Sequence, residues 1–561
     1  MGEMQKKPSG AELIKAASRH LRGSIAEELS NEAAQFSKDT TLVLKFHGIY
    51  QQHDRDLRRA EAKKEYSCMV RVSVPGGVLR PEQYLALHGL AGQVGDGTLR
   101  ITSRGGVQYH YVGKRSLREL IRAICGAGLN TLAACGDVVR NVVCTAAPFD
   151  TPEQRSLLEW VRLVDRSLKP KTRAYAEIWL DGERAATLTD GGEESEPLYG
   201  DTYLPRKFKI GFTREGDNTA DIYSDDLGFV AHFERGEVAG FTFLAGGGMG
   251  QSNGDRNTHP RLADPVGFVR PDRVLDVARA VVSIHRDFGD RSNRRHARLK
   301  YVIEDRGLDW FREELTRRLG WAPAPPRPLR WARHADWLGW HAQDAAGSRW
   351  FFGLRVVSGR LAGDLMQAVA EAVRQLQPQV RFTPQQNLIF ANLAPEARGE
   401  LEAILRRYGV ALPGEIPPIL RHSMACPALP TCGLALTDSE RVLPDVVQDI
   451  QRQADEAGAA GEIIHLRMTG CPNGCARPYT AEIGIVGQSP KLYSIYLGGS
   501  PLATRIAALY THNVPLERIG QTLRPLLDAW IRERRPRESF GDYCNRTGVE
   551  ALRARFLEAP V

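Results

Sequence analysis

Four cysteines fall in two pairs, Cys426-x5-Cys432 and Cys471-x3-Cys475, while the other five of the nine are scattered along the chain. Thiolates are soft ligands, and two loop-held pairs can converge on one metal centre, zinc or an iron-sulfur cluster. Structural zinc usually takes closer pairs, of the C-x2-C to C-x4-C kind, so the wide first pair leans towards a four-thiolate [4Fe-4S] cluster. The glycines and prolines of Thr469-Gly470-Cys471-Pro472-Asn473-Gly474-Cys475 let the backbone wrap a cluster and aim amide N–H groups at its sulfides. The alternative is a set of buried structural thiols. An odd number of cysteines does not suit a disulfide framework, and no apolar stretch follows the lysines between Met1 and Gly10 as in a secretory leader. The expectation is a cytoplasmic protein with reduced thiols.

A second group with chemical potential is basic. In Arg206-Lys207-Phe208-Lys209 the two lysines are two residues apart, so on a strand they share one face. Clustered cations depress a lysine pKa and make it a better proton donor near neutrality. Taken alone, the same motif reads better as an edge strand guarded by lysines. The net charge of +8 fits nucleic acid, an acidic membrane surface or small anionic ligands. No lysine-rich tail and no basic stripe interleaved with aromatics is present, which argues against nucleic acid. No apolar run approaches the roughly 18 residues of a membrane span, so membrane insertion is not expected. Small anions or an acidic cofactor remain.

These residues need a large scaffold. A chain of 561 residues exceeds one ordinary core and implies two to four domains. A hydrophobic content of 42% with 25% charged residues is that of a globular protein, and strand-like and helix-like stretches alternate as in α/β or α+β layers. Residues 1–65 are polar, end in the charged run 54–64, and read as an arm that contacts another molecule. The proline-rich segment 322–328 is the clearest linker. A faint duplication runs through the chain. Val70-Arg71-Val72 before Gly76-Gly77 matches Leu354-Arg355-Val356 before Gly359, Arg100-Ile101-Thr102 matches Arg381-Phe382-Thr383, and Val142-Val143-Cys144 matches Met424-Ala425-Cys426. The order is kept and the offsets, 284, 281 and 282 residues, are nearly constant. A pseudo-twofold protein with a site between its halves follows.

The blocks Ser423-Met424-Ala425-Cys426-Pro427-Ala428-Leu429-Pro430-Thr431-Cys432 and Thr469 to Cys475 resemble the signature of the siroheme and iron-sulfur sulfite and nitrite reductases. The likeness covers nearly the whole chain, including Arg55 in Phe46-His47-Gly48-Ile49-Tyr50-Gln51-Gln52-His53-Asp54-Arg55-Asp56. It implies an α+β fold with a duplicated pseudo-twofold architecture, three domains around a central siroheme and [4Fe-4S] cluster. On that plan residues 1–65 form a partner-docking arm, 66–134 and 329–410 two ferredoxin-like half-domains, 135–321 a siroheme-binding α/β domain, and 411–561 an iron-sulfur and siroheme-binding α/β domain. The resemblance makes Cys426, Cys432, Cys471 and Cys475 the cluster ligands, with Cys475 also bridging to the siroheme iron.

Siroheme carries eight carboxylates, which arginine forks suit best. The resemblance assigns its binding to Thr102, Arg104, Gln108, His110, Arg206, Arg298, Gln386, Asn473 and Arg477, and the holding of the substrate anion to Arg71, Arg140, Lys207 and Lys209. Taken singly, each reads as a solvated surface charge or a capped turn residue. One departure is Gly105-Gly106, where many relatives carry larger polar residues, an expected loosening of one cofactor contact.

The implied activity is the six-electron reduction of sulfite to sulfide in sulfate assimilation and cysteine biosynthesis. A siroheme nitrite reductase forming ammonia is the nearest alternative, against which the lysine pair argues, since nitrite enzymes of this kind tend to replace one lysine by a neutral residue. A non-catalytic cysteine-cluster protein binding RNA or a partner is the other. The stretch Ala245-Gly246-Gly247-Gly248-Met249-Gly250 is not a G-x-G-x-x-G turn followed by an acid, so nucleotide binding is not expected. Electrons must come from elsewhere. The arm resembles that of subunits docking on an NADPH-oxidising flavoprotein, with ferredoxin as the alternative donor.

Overall fold

A computed structural model of the chain describes residues 7–57, 64–175 and 196–557. Part of the charged run 54–64 and the first six residues lie outside these. Among the described residues the strands build four five-stranded sheets and one two-stranded ribbon.

The first sheet takes Ile49–His53, Tyr66–Val72, Val107–Val112 and Leu99–Ile101, and is completed by Arg360–Leu361 from the far half of the chain. Its twin takes Gly339–Ala342, Trp350–Leu354, Leu388–Leu393 and Gln379–Phe382, and is completed by Val78–Leu79 from the first half. Each half thus lends the other an edge strand, and the two sheets form one body. Helix Leu117–Gly126 shows how the first is covered: Leu117, Leu120, Ile121 and Ile124 are spaced along one helical face, and all are buried.

The remaining two sheets repeat a second pattern. Val143–Cys144, Ile210–Arg214 and Leu227–Glu234 run parallel, followed by antiparallel Glu237–Ala245 and Asp264–Val269. In the other half Ser423–Ala425, Leu466–Thr469 and Ile483–Ser489 run parallel, followed by antiparallel Leu492–Leu497 and Ala508–Pro515. The α+β class and the duplication expected from sequence are therefore those of the fold. One buried core runs from Leu21 to Leu405 and a second from Ile419 to Leu552.

The N-terminal segment differs from a projecting arm. Leu21, Ile25, Phe36 and Val43 belong to the large core, and Lys15 is fully buried, its Nζ donating to Leu204 O at 2.7 Å and lying 2.6 Å from Glu12. A polar sequence concealed this because the apolar positions are few and the polar ones find buried partners. No helix among the described residues is long and apolar enough to cross a membrane.

Candidate active site

Ser423–Ala425 and Leu466–Thr469 are neighbouring parallel strands with Ala425 opposite Met468, so the two cysteine loops leave the same sheet edge side by side. This is the carboxyl end of a parallel sheet, where α/β proteins build their sites. Cys426 N donates to Met468 O at 3.2 Å, and Leu436 N to Gly470 O at 2.7 Å, tying loop to loop. Amide groups do point at sulfur: Gly470 N donates to Cys426 Sγ at 3.3 Å and Asn473 Nδ2 to Cys471 Sγ at 3.4 Å. A Cβ on Gly470 would meet Thr437 O at 2.4 Å, so the approach of the loops requires glycine.

Burial first, and then the neighbouring thiols Cys475, Cys432 and Cys471, push the Cys426 thiol up, while burial followed by Cys475 pushes Cys471 up to about 11. The four sulfurs feel one another, yet among the described residues no three His, Cys, Asp or Glu side chains converge on a single ion. Four thiolates on two neighbouring loops are the donor set that a [4Fe-4S] cluster takes. Cys426 and Cys471 are buried but Cys475 is exposed. It lies close enough to Lys207 for the two side chains to interact electrostatically.

The cations expected from sequence meet near Lys207. Phe208 forms a bridge with Val139 and is buried, so Lys207 and Lys209 on either side of it face the opposite way. Burial, then Arg206, Arg140 and Arg298, hold Lys207 well below its ordinary value, and burial followed by Arg104 holds Lys209 at about 8. Arg71 pairs with Gln108 across two strands and donates from Nη1 to Cys135 Sγ at 2.9 Å. Arg140 is fixed by Gly136 O, which accepts from its Nε at 3.2 Å and its Nη2 at 3.1 Å.

Four of the expected cofactor-binding residues, Arg104, Arg206, Arg298 and Arg477, lie near the two lysines. Arg104 donates from Nη1 to Asp225 at 2.7 Å and Arg298 from Nη2 to Asp226 at 2.8 Å, so adjacent aspartates orient both and already offset their charges. Arg477 is 2.6 Å from Asp221 and donates to Pro384 O and Ser103 O, joining the two halves. Arg206 is desolvated beside Asp137, Arg294 and Arg140. Both ring nitrogens of His110, Oε1 of Gln386, Nε of Arg477 and Oγ1 of Thr469 are buried without a protein partner. Native proteins rarely leave such groups orphaned, and a macrocycle bearing many carboxylates would accept from the Arg477, His110 and Thr469 donors. Thr102 Oγ1 instead accepts from Gly106 N at 3.1 Å, shaping the turn.

That turn corrects one expectation. Gly105 has φ +65°, and a Cβ on Gly106 would strike Val72 O at 2.7 Å, so the glycines hold the hairpin tight. The glycine-rich stretch 245–250 also has a structural reason: a Cβ on Gly248 would meet the Arg298 guanidinium at 2.9 Å, and one on Gly250 would meet Asn473 O at 3.0 Å. Sequence reasoning missed Tyr50, whose ring lies 6.0 Å from the Arg71 guanidinium and 5.7 Å from Lys45 Nζ and whose hydroxyl contacts Arg140. It stands in the same motif as Arg55.

Comparison with known proteins agrees with this layout. The nitrite and sulphite reductase 4Fe-4S domain matches residues 159–323 and 418–560, and the nitrite/sulfite reductase ferredoxin-like half domain matches 60–126 and 341–408. The chain is 43% identical over 551 residues to the "sulfite reductase [NADPH] hemoprotein beta-component" of Geobacillus kaustophilus, covering 97% of this chain and 96% of that protein. It is 44% identical over 558 residues to the protein of the same name from Myxococcus xanthus, covering 98% of each. The solved structure of Mycobacterium tuberculosis NirA has the same fold, with a TM-score of 0.78 at 23% identity over 98% of both chains.

Proposed function

The chain belongs to the nitrite and sulphite reductase family, and from that premise we propose that it is the haemoprotein of an assimilatory sulfite reductase, taking sulfite to sulfide with six electrons. The observation that carries the choice of sulfite is the pair Lys207 and Lys209, which alternation about Phe208 sets on one face and which share Arg298 as a neighbour, with Lys207 also near Cys475. Siroheme coupled to a [4Fe-4S] cluster would supply, when bound, single electrons to the oxyanion. Cys426, Cys432, Cys471 and Cys475 would hold the cluster, and Arg206, Gln386, His110, Arg477 and Asn473 would meet the siroheme, oriented with Thr102, Arg104, Gln108 and Arg298.

The protein's own contribution is charge and protons. Sulfite is a dianion whose oxygens leave as water, so the pocket must neutralise negative charge and deliver protons. Arg71 and Arg140 are held by Cys135 and by Gly136 O, so their charges are fixed before the anion arrives, as preorganised stabilisation requires. Lys209, held at about 8, can keep its proton near neutrality and still give it up, which suits general acid catalysis. Two arginines and two lysines suit the larger burden of sulfite better than the single charge of nitrite.

Electrons are assigned to an NADPH-oxidising flavoprotein, with ferredoxin as the second reading. The support is the word NADPH in the names of the relatives and the N-terminal segment, which exposes Leu13 on helix Gly10–Ala16 at 56%. A cytoplasmic location fits nine free cysteines. The test is reduction of sulfite and nitrite by the purified holoenzyme with a small-molecule dye, and with each protein donor in turn. A kcat/KM higher for nitrite than for sulfite would reverse the assignment.

A further inference from the structure

A cavity of about 290 Å³ lies away from the cysteine loops, where helix Pro152–Leu168 meets strands Gln379–Phe382 and Leu388–Leu393. Four arginines line it, Arg155, Arg162, Arg349 and Arg381, against the two carboxylates Asp150 and Glu159. Asp150 already accepts from Arg155 and Arg349. Positive charge is left over.

Arg381 carries most of it. It is 7% exposed, its Nε donates to Gln379 Oε1 at 2.8 Å and its Nη1 to Ala146 O at 3.3 Å, and among the described residues no carboxylate pairs with it. Burial lowers its pKa to about 10, opposed chiefly by the Cys144 thiol. A buried charge without a counter-ion is costly, and proteins normally supply one.

The duplication shows what is missing. Arg100, the counterpart of Arg381, donates from Nη2 to Ala425 O at 3.0 Å, just as Arg381 reaches Ala146 O, but Arg100 also donates from Nε to Glu440 at 2.7 Å. The second half has the carboxylate, whereas the first has a cavity at the equivalent place. A volume of about 290 Å³ is at the lower end of small-molecule sites and exceeds what a bare oxyanion fills, and Phe149 and Leu158 add apolar wall. We propose that this cavity binds a small organic anion, with a phosphate or carboxylate head on Arg381 and an apolar body against Phe149 and Leu158.

The experiment is calorimetric titration of the holoenzyme, kept in saturating sulfite so that the substrate site is filled, with phenyl phosphate, benzoate and inorganic phosphate. One organic anion should bind at one site per chain, at least about tenfold tighter than inorganic phosphate. The better of phenyl phosphate and benzoate identifies the head group. Arg381→Met should weaken it about tenfold or more, a loss of 1.4 kcal/mol or greater. Saturable binding by none of the three, equal binding of inorganic phosphate, or unchanged affinity in Arg381→Met would each overturn the proposal. Should Arg381→Met fail to fold, the exposed Arg162→Gln replaces it, with an expected loss of about threefold, and wild-type affinity there counts against the site in the same way.

Discussion

Arg55 Nη1 donates to the carbonyl oxygen of Cys432 at 3.3 Å and also to that of Ala435, while Arg55 N donates to Pro430 O at 3.2 Å. The end of the N-terminal segment thereby clamps the loop that carries one of the proposed cluster ligands. Arg55→Ala should lose hydrogen bonds from a charged donor, worth about 1.5 to 3 kcal/mol. The expected outcome is a lower Tm and a reduced iron and sulfide content in purified protein, partly restored in Arg55→Lys. Unchanged iron content would show that the clamp is dispensable for the cluster.

If Cys475 is a cluster ligand, Cys475→Ser is expected to lose cluster and siroheme content and most turnover, because a hydroxyl is a poor iron ligand and cluster assembly uses four thiolates. The visible absorbance of the purified variant reads this directly. A wild-type spectrum with wild-type turnover would remove Cys475 from the ligand set.

Lys207→Met and Lys209→Met should each cost about 10- to 1000-fold in sulfite kcat/KM with a dye as donor, by analogy with removing one preorganised oxyanion donor. Nitrite should suffer less. If both variants keep sulfite activity within about twofold, or roughly 0.4 kcal/mol, the lysines take no part in the reaction.

The pH dependence of Lys209 has a definite sign. Its pKa is held at about 8 by burial and Arg104, against about 10.4 for an unfolded lysine. Above pH 8 the folded protein loses this proton, so sulfite kcat/KM should fall with pH, and the fall should be shallower in Lys209→Met. Between about pH 8 and 10.4 the unfolded chain binds more protons at this site, so the same group makes stability rise with pH. A wild-type profile flat from pH 7.5 to 9.5 would mean that the charge of Lys209 is not used.

Truncating the N-terminal segment is a poor test of docking, because Lys15, Leu21 and Ile25 belong to the interior. Leu13→Glu changes only an exposed position. It should reduce flavoprotein-driven sulfite reduction about tenfold or more, as expected for an interface anchor, and leave dye-driven reduction unchanged. Equal rates with both donors would move the docking surface elsewhere.

The legible parts were those written in local spacing. The cysteine pairs, the Lys207 and Lys209 alternation and the repeat of Arg100 in Arg381 could be read directly from the chain. Partners distant in sequence could not. Asp225 and Asp226 offset Arg104 and Arg298, so two residues expected to await a carboxylate already hold one each. Gly106 looked like a lost side chain, and only the position of Val72 O reveals that a side chain would not fit. Tyr50 was hidden because its neighbours Arg71 and Arg140 are 21 and 90 positions away.

The exchange of edge strands has a consequence for ancestry and assembly. Val78–Leu79 completes the sheet of the second half and Arg360–Leu361 that of the first. This reciprocity is the geometry of a domain-swapped pair, in which identical molecules trade the same element. A chain holding a single copy of the repeat would have an uncovered sheet edge, the surface proteins avoid exposing, and would bury it by dimerising with its twin. Joining two copies in one polypeptide makes that partnership permanent and frees the halves to diverge. One was free to acquire the cysteine loops and the other the lysine pair, without a symmetric dimer repeating every change twice.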